Sequence, residues 1–391
     1  MARKYEIIIL GAHHAGVSTA HYVLRHVIPG LSKATPGTTY HVTIIAPHTE
    51  FYYNIPGPRV AVNDTIVPFS KVFFPIADAF KEYKPESYTF VLGKTTAVDA
   101  QKRSVTVSLV DTKLEKVFNY STLVIATGSK ANSPLWFMND STDVLKNAYK
   151  DLHSSLDMAK TVLIAGGGTV GVETAGEIGY HLKKKVTLLS GGSRLLPRHV
   201  AGNSAAAESQ LKKLGVEVIH NLRATSSSKT TAGKTEVKLS DGTTRTVDVY
   251  IDATGPTPNS SFLPAAWLDS TGRVLVDDKT FRVKGAPNVY AGGDIASCSD
   301  GGVMAILWGT APLGSSIGID IAKEMGVRSP VTQKEYGPLK DTQFVTIGPK
   351  GGVAQLKGWR VPSLMVWVAK SRTMMVEKAE GSVKGVNVMK P

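Results

Sequence analysis

Cysteine is nearly absent from this chain: Cys298 is the single one among 391 residues. One thiol cannot close an intrachain disulfide, which excludes a secreted disulfide scaffold. Long apolar runs are missing as well. None approaches the roughly 18 residues that a membrane-spanning helix needs, so no span is expected. The opening Met-Ala-Arg-Lys leads into a strand-like segment by Tyr5, so no secretory signal is expected, and Ala2 stands where N-myristoylation needs glycine. The closing Val-Met-Lys-Pro carries no recognisable address. Acids are outnumbered, 32 Asp+Glu against 45 Lys+Arg, for a net charge of +13. That excess favours an anionic partner (a membrane surface, nucleic acid or an acidic protein) or serves solubility alone. No basic cluster interleaved with aromatics stands out, which argues against nucleic acid.

What is plentiful is glycine, 37 residues, and it is clustered. The length exceeds what one hydrophobic core fills and predicts two or three domains. Tyr5–Leu10 reads as a buried parallel strand. A glycine turn, Gly11–Gly16, follows, then a helical stretch that Pro29-Gly30 is expected to stop, then a second buried strand at 41–46. Residues 87–125 alternate like an antiparallel meander and end in the apolar strand of TLVIATG, 122–128. The programme then repeats. A strand at 161–165 enters the turn Gly166–Gly171, a helix follows, a strand spans 184–190, and VDVYIDATG closes the unit at 247–255. Two glycine turns and two Ala-Thr-Gly elements, 126–128 and 253–255, in the same order predict an internal duplication. After them come NVYAGGDIAS at 288–297, a helix from about Met304 to Met325, and a tail with strand-like pieces at 344–348, 352–356 and 364–368. Residues 226–235 are expected to form an exposed hairpin tip.

Gly166-Gly167-Gly168-Thr169-Val170-Gly171 matches G-x-G-x-x-G after a strand and before a helix, the context that dinucleotide binding requires. Gly166 permits the tight turn, Gly168 a close backbone approach to pyrophosphate, and Gly171 close packing of helix on strand. The first turn, Gly11-Ala12-His13-His14-Ala15-Gly16, keeps the outer glycines and places His13 at the middle one. His13 and His14 lack a third ligand in register, so no metal is expected. The usual ribose-binding acid at the end of each second strand is replaced by Ala46 and Ser190, with Glu50 a poor substitute. Without an acid at Ser190, and with Arg194 and Arg198 nearby, NADPH is allowed beside NADH.

Two such units, two Ala-Thr-Gly elements and a late Gly-Gly-Asp resemble the flavoproteins with two dinucleotide-binding domains. The resemblance implies an α/β chain with two Rossmann-like domains of the glutathione-reductase type plus a small C-terminal α+β domain. It divides the chain into an FAD domain (1–135 and 256–330), an NAD(P)H domain (136–255) and a C-terminal interface or membrane-contact domain (331–391). FYYNIPGPRV (51–60), GGGTVGVETAGEI (166–178) and SLMVWVAKSRTMMV (363–376) are similar to the AMID / ferroptosis-suppressor branch of apoptosis-inducing-factor-like proteins. That branch implies an NAD(P)H:quinone oxidoreductase associated with membrane surfaces, cytoplasmic or peripheral on a membrane such as the mitochondrial outer surface or lipid droplets. The cofactor residues it implies are Gly11, His13, Gly16, Arg59, Ala126, Thr127, Gly128, Gly166, Gly168, Gly171, Gly255 and Asp294. Asn54 and Pro58 accompany Arg59 in the flavin-side segment. Glu173 matches a glutamate near the nicotinamide, and Lys71 falls where the family often has a lysine close to the flavin; the plain alternative for Glu173 is a solvated helix residue. The departures are His13, Ala46 and the missing myristoylation glycine.

Disulfide reductases of this fold need a cysteine pair, which this chain lacks. Electrons are therefore expected to pass directly from flavin to a quinone or other small acceptor. The helix near Met304 is expected to aim its N-terminus at the flavin. Trp359, Arg360, Trp367, Lys370 and Arg372 form a candidate membrane edge, whereas Leu364, Met365, Val366 and Val368 read as core strand or dimer interface. Three other readings stay open: a reductase of an acidic ferredoxin-like protein, a redox-gated nucleic-acid-binding protein with slow turnover, and an enzyme reducing one secondary metabolite.

Overall fold

The computed structural model describes residues 3–391, so Ala2 and the expectation attached to it lie outside the described residues. The first unit walks through β1 (Arg3–Leu10), β2 (Thr38–Ala46), β3 (Tyr88–Asp99), β4 (Ser104–Leu109), β5 (Glu115–Asn119) and β6 (Thr122–Ile125). The second contributes β7 (Thr161–Ala165), β8 (Lys185–Leu189), β9 (Val216–Ile219) and β10 (Val249–Asp252), after which β11 (Val289–Ala291) returns to the first sheet. That sheet runs β11-β6-β1-β2-β3-β4-β5. Its first five strands are parallel, and the last two pairings are antiparallel. Ile7, Ile8 and Ile9 of β1 are fully buried, as a central parallel strand covered on both faces demands. β3 changes partner along its length: Tyr88–Leu92 pair with β2, and from Gly93 onward the strand pairs with β4. A Cβ at Gly93 would lie 2.4 Å from the Val107 side chain, so this pairing requires glycine.

Helix α1 (His14–Tyr22) does not stop at Pro29-Gly30 as expected. It passes through a π-helical turn, Val23–Val27, into α2 (Ile28–Ala34), with Pro29 in the first turn of α2. The wide turn absorbs the missing proline N–H and keeps the ring off the carbonyl four residues back. Gly30 is pressed against Pro330, which a Cβ would approach to 2.3 Å.

The second sheet, β9-β8-β7-β10, is wholly parallel and carries an antiparallel meander over 224–247. The duplication holds at atomic scale. Gly11 (φ +106°) and Gly166 (φ +124°) each place a hypothetical Cβ 2.4 Å from a carbonyl, of Ala126 and Ala253 respectively. A Cβ at Gly16 would meet the Gly11 oxygen at 1.9 Å, and one at Gly171 the Gly166 oxygen at 1.8 Å. Each Ala-Thr-Gly element therefore packs under its own glycine turn.

The second unit contributes the helices α3 (Thr142–Met158) and α4 (Thr169–Leu182). Helix α5 (Val303–Glu324) meets the length and composition of a bilayer-crossing helix, with mean hydropathy 1.2. Here it packs inside the molecule on its small residues: a Cβ at Gly314 would lie 2.2 Å from the Tyr22 ring, and one at Gly309 2.8 Å from Phe281. The tail folds into the antiparallel strands β12 (Gln343–Thr346), β13 (Gly352–Leu356) and β14 (Trp359–Val361), followed by short helices, the expected α+β unit. Residues 364–368 are not a strand. They lie in a helix, Ser363–Val366, continued by a π turn, Trp367–Ser371. Val366 and Ser371 face inward, whereas Leu364, Met365 and Val368 are 69%, 56% and 63% exposed, so they are neither core nor sheet. A five-residue apolar run does not distinguish the two periods.

Gly314→Ala should destabilise the protein by about 1–3 kcal/mol, because the fully buried Tyr22 has no free direction in which to yield. Thermal denaturation reads this directly, and an unchanged melting temperature would show that the α1–α5 contact is looser than described.

Candidate nucleotide-binding and redox site

At the first glycine turn β1 hands over to α1, whose N-cap residue His13 makes no side-chain cap. The leading N–H groups and the positive helix end are thus left for an anion. The His13 ring is folded away from the turn. Its Nε2–H donates to the Tyr52 carbonyl, and the ring stacks on Phe51 at 5.2 Å between centroids and 20°. Burial pushes its pKa down to about 4, so the ring is neutral at pH 7. His48 is likewise pushed to about 4 by burial, and His14 well below its usual value. No group of three metal-ligating side chains occurs among the described residues. A cleft of about 440 Å³ opens beside the turn, lined by Gly11, His13, Pro47, Thr95, Thr127 and Phe262 among others.

Behind the cleft, the Thr127 hydroxyl donates to the Asn259 carbonyl at 2.9 Å, and Asn259 N donates to the Gly128 carbonyl at 3.0 Å. These bonds tie Ala126–Gly128 to the strand-like 257–258 segment. Gly293 (φ +80°) brings Asp294 against the start of α1, since a Cβ there would lie 2.9 Å from that of Ala15. Asp294 Oδ1 accepts the Gly302 N–H at 3.0 Å, ahead of the uncapped N-terminus of α5. Burial raises its pKa, and that hydrogen bond only partly opposes the shift. The ribose position at the end of β2 carries no acid: Ala46 is apolar, and Glu50 is ion-paired with Lys146 at 2.5 Å. Lys71 stands exposed at the end of a short 3-10 turn, and its ammonium makes no ion pair or hydrogen bond among the described residues.

At the second turn the space beside Gly168 is open, with no atom within 4 Å of a hypothetical Cβ, and α4 begins there without a side-chain cap. Gly255, past the end of β10, is similarly unobstructed. Arg194 and Arg198, expected near a 2′-phosphate, are engaged elsewhere. Arg194 donates to the carbonyls of Pro197 and His199 at 2.8 and 2.9 Å, and Arg198 is paired with Asp300 at 3.1 Å.

Glu173, expected at the nicotinamide, is 3% exposed and not a solvated helix residue. Its Oε1 accepts from Lys370 Nζ at 2.6 Å and from Thr346 N at 3.0 Å. Arg59, expected on the flavin side, is also fully engaged: Nε and Nη2 donate to Glu177 at 2.8 Å, Nη2 to the Ser371 carbonyl at 2.7 Å, and Nη1 to the Arg372 carbonyl at 3.2 Å. Burial alone would raise the Glu177 pKa, yet the hydrogen bonds from Arg59, with His181 Nε2 3.3 Å from the carboxylate, hold it below the ordinary carboxylate value. Sequence reasoning missed Glu177. Its available signal was the i, i+4 spacing from Glu173 on an otherwise apolar helix.

Residues 5–311 match the pyridine nucleotide-disulphide oxidoreductase family. The chain belongs to this family. It is 35% identical to oxidoreductase phnG of Penicillium herquei over 98% of this chain and 96% of that protein. It is 27% identical to ferroptosis suppressor protein 1 of Taeniopygia guttata over 95% and 94% of the two lengths. Its fold is similar to that of NDH2 from Plasmodium falciparum, solved in complex with NADH, with TM-score 0.70, 15% identity and 98% of both chains covered. The branch resemblance stated from the motifs therefore extends over almost the whole chain. Family membership makes the protein an NAD(P)H-dependent oxidoreductase that works with a flavin. The disulfide chemistry in the family name has no counterpart in the lone Cys298, whose thiol burial and nearby acids push up to about 12.

Arg59→Ala leaves Glu177 buried without a counter-ion and should cost about 3–5 kcal/mol in denaturant unfolding. The double variant Arg59→Met with Glu177→Leu should recover most of that loss; no recovery would mean that the carbonyl contacts of Arg59 dominate. In wild type the Glu177 carboxylate contributes stability above its ordinary pH of 4.5, and this is lost as pH falls through the lowered folded value.

Proposed function

We propose that the chain is an FAD-dependent NAD(P)H:quinone-type oxidoreductase that needs no redox disulfide. The observation that carries this reading is the repeated glycine turn, twice opening an uncapped helix, in a chain whose single thiol is held protonated. FAD suits the first turn: Gly11 and Gly16 are sterically compulsory, the His13 ring is parked on Tyr52 and Phe51, and the adjoining cleft is lined by both polar and apolar side chains, among them Thr95, Asn132, Asn139, Phe137 and Phe262. Gly11, His13 and Gly16 would hold its pyrophosphate by backbone N–H groups, with Ala126, Thr127 and Gly128 walling the cleft and Asp294 near the ribityl chain. Gly166, Gly168, Gly171 and Gly255 would hold NADH or NADPH in the same way. Bound FAD supplies hydride acceptance and the release of two electrons to the acceptor.

The side chains contribute position and charge. Glu173 keeps α4 in place through Lys370 and is our candidate on the nicotinamide side. Lys71 is the unengaged cation proposed on the flavin side. Arg59 is reassigned from cofactor contact to positioning, because all its bonds go to protein acceptors. The positive end of α5 is an electrostatic support for negative charge on the ligand.

The acceptor is proposed to be a lipid-soluble quinone met at an anionic membrane surface. Trp359, Leu364, Met365 and Val368 are 81%, 69%, 56% and 63% exposed, and Lys357, Arg360 and Arg372 flank them. Apolar side chains rimmed by cations suit the interface of an anionic bilayer. An acidic ferredoxin-like acceptor would use the charge but has no need of the apolar edge.

Anaerobic NADH or NADPH should bleach the flavin spectrum of the holoprotein, and a short-chain quinone should restore it. Faster reoxidation by an acidic iron–sulfur protein, with steep salt dependence, would replace the quinone assignment. The paired change Trp359→Asp and Leu364→Asp should reduce co-sedimentation with phosphatidylserine vesicles while leaving short-chain quinone reduction intact. Unchanged co-sedimentation would remove the membrane from this reading.

A further inference from the structure

We propose that Arg223 receives the 2′-phosphate of NADPH and makes the second glycine turn selective for the phosphorylated nucleotide. The proposal rests on that turn being a nicotinamide-nucleotide site. In a βαβ site the adenosine ribose lies beside the end of the second strand, where an acid holds the 2′-hydroxyl and a cation accepts a 2′-phosphate. Here β8 ends at Leu189, and the next residue, Ser190, is closely joined to the glycine turn. A Cβ at Gly167 would sit 2.6 Å from Ser190 Oγ. That hydroxyl donates to the carbonyls of Gly192 and Arg194 at 3.1 Å, so it faces its own loop. Nothing at this position repels a phosphate, and nothing there is arranged to hold a bare ribose hydroxyl.

The cation comes from elsewhere in the chain. Leu222 N donates to the Ser190 carbonyl and Asn221 N to the Gly192 carbonyl, both at 3.0 Å, which clamps 221–223 alongside 190–192. The Arg223 side chain therefore lies across Gly191. A Cβ at Gly191 would be 2.6 Å from Arg223 Nε and 2.8 Å from Cγ, so glycine is what admits the arginine. The space at Gly192 is open, with no atom within 4 Å of a hypothetical Cβ. Arg223 is exposed, and its guanidinium has no hydrogen bond or ion pair among the described residues, in contrast to Arg194 and Arg198. The carboxylate of Asp241, beyond its neighbour Ser240, accepts from Thr243 instead. An unengaged guanidinium at the strand end presents the planar donor fork that binds phosphate in two hydrogen bonds.

Titration calorimetry of the FAD-loaded protein with 2′,5′-ADP and with 5′-AMP isolates this contact without turnover. Wild type should bind 2′,5′-ADP about 10- to 100-fold more tightly. Arg223→Ala should abolish that difference while leaving 5′-AMP unchanged, and Arg223→Lys should keep part of it. Equal affinities in wild type, or a parallel loss for both nucleotides in Arg223→Ala, would overturn the assignment while leaving the site intact. Failure of wild type to bind either nucleotide, with NADH and NADPH both unable to bleach the flavin, would instead defeat the reading of the turn itself.

Discussion

The arrangement of this protein depends on two buried carboxylates on one face of α4. Glu173 and Glu177 are one helical turn apart, and each is neutralised from another part of the chain: Lys370 of the tail reaches the first, and Arg59 of the first unit reaches the second. A carboxylate removed from water is tolerated only with its counter-ion in place, so neither neighbour can shift independently of α4. Between them sits Gly176, where a Cβ would lie 2.9 Å from the backbone of Ile347 and Gly348. The missing side chain lets the tail sheet approach closely enough for Thr346 N to reach Glu173. Since α4 also opens at Gly168, the same contacts that join the units fix the direction of the second nucleotide-binding turn. Arg59 adds the carbonyls of Ser371 and Arg372, so the end of the tail helix is fastened at the point that carries Lys370 one residue earlier.

The duplicated turns show which parts of a phosphate loop are constrained by the protein and which by its ligand. The outer glycines are forced by backbone contacts that recur in both units to within about 0.2 Å. The middle position is under no such constraint: at Gly168 nothing within 4 Å opposes a Cβ, so only an approaching ligand would limit it. His13 occupies that freer position. Its ring is accommodated because Phe51 offers a flat face and Tyr52 a carbonyl. The consequence is a set of neutral imidazoles around the first turn, with the pKa values of His13 and His48 both pushed to about 4. Positive charge for an anion there must come from backbone N–H groups and the helix end rather than from these side chains.

The strands, both glycine turns and the repeat order were legible because parallel strands read as continuous apolar runs and tight turns as glycine. Three features were not. Pro29 looks like a helix stop unless the widened turn at Val23–Val27 is known, and no local sequence rule announces that turn. The run Leu364–Val368 is too short for its period to show. The partners of Glu173 and Glu177 lie 197 and 118 residues away in sequence, so a reading confined to neighbours could not show that Lys370 and Arg59 engage them. The same confinement drew attention to Arg194 and Arg198, which are near the strand end in sequence but bonded elsewhere. Arg223 reaches that end from the following strand connection.

The lone thiol bears on how electrons leave the protein. In a chain with a cysteine pair, a disulfide beside the flavin can relay electrons to a substrate that never touches the cofactor. Cys298 has no partner, and burial with nearby acids keeps it protonated up to about pH 12, so it offers neither a disulfide nor a thiolate. An acceptor must then come within direct reach of the flavin, which places the burden of selection on the surface through which it arrives. Two surface properties are available for that selection, the +13 charge and the exposed Trp359–Val368 edge. Charge alone would gather any anionic partner, soluble or not. The apolar side chains add a cost when they face water and a gain when they meet an interface. Leu364, Met365 and Val368 lie on the helix and π turn that also carry Lys370, which connects this part of the proposed docking edge to Glu173 of α4.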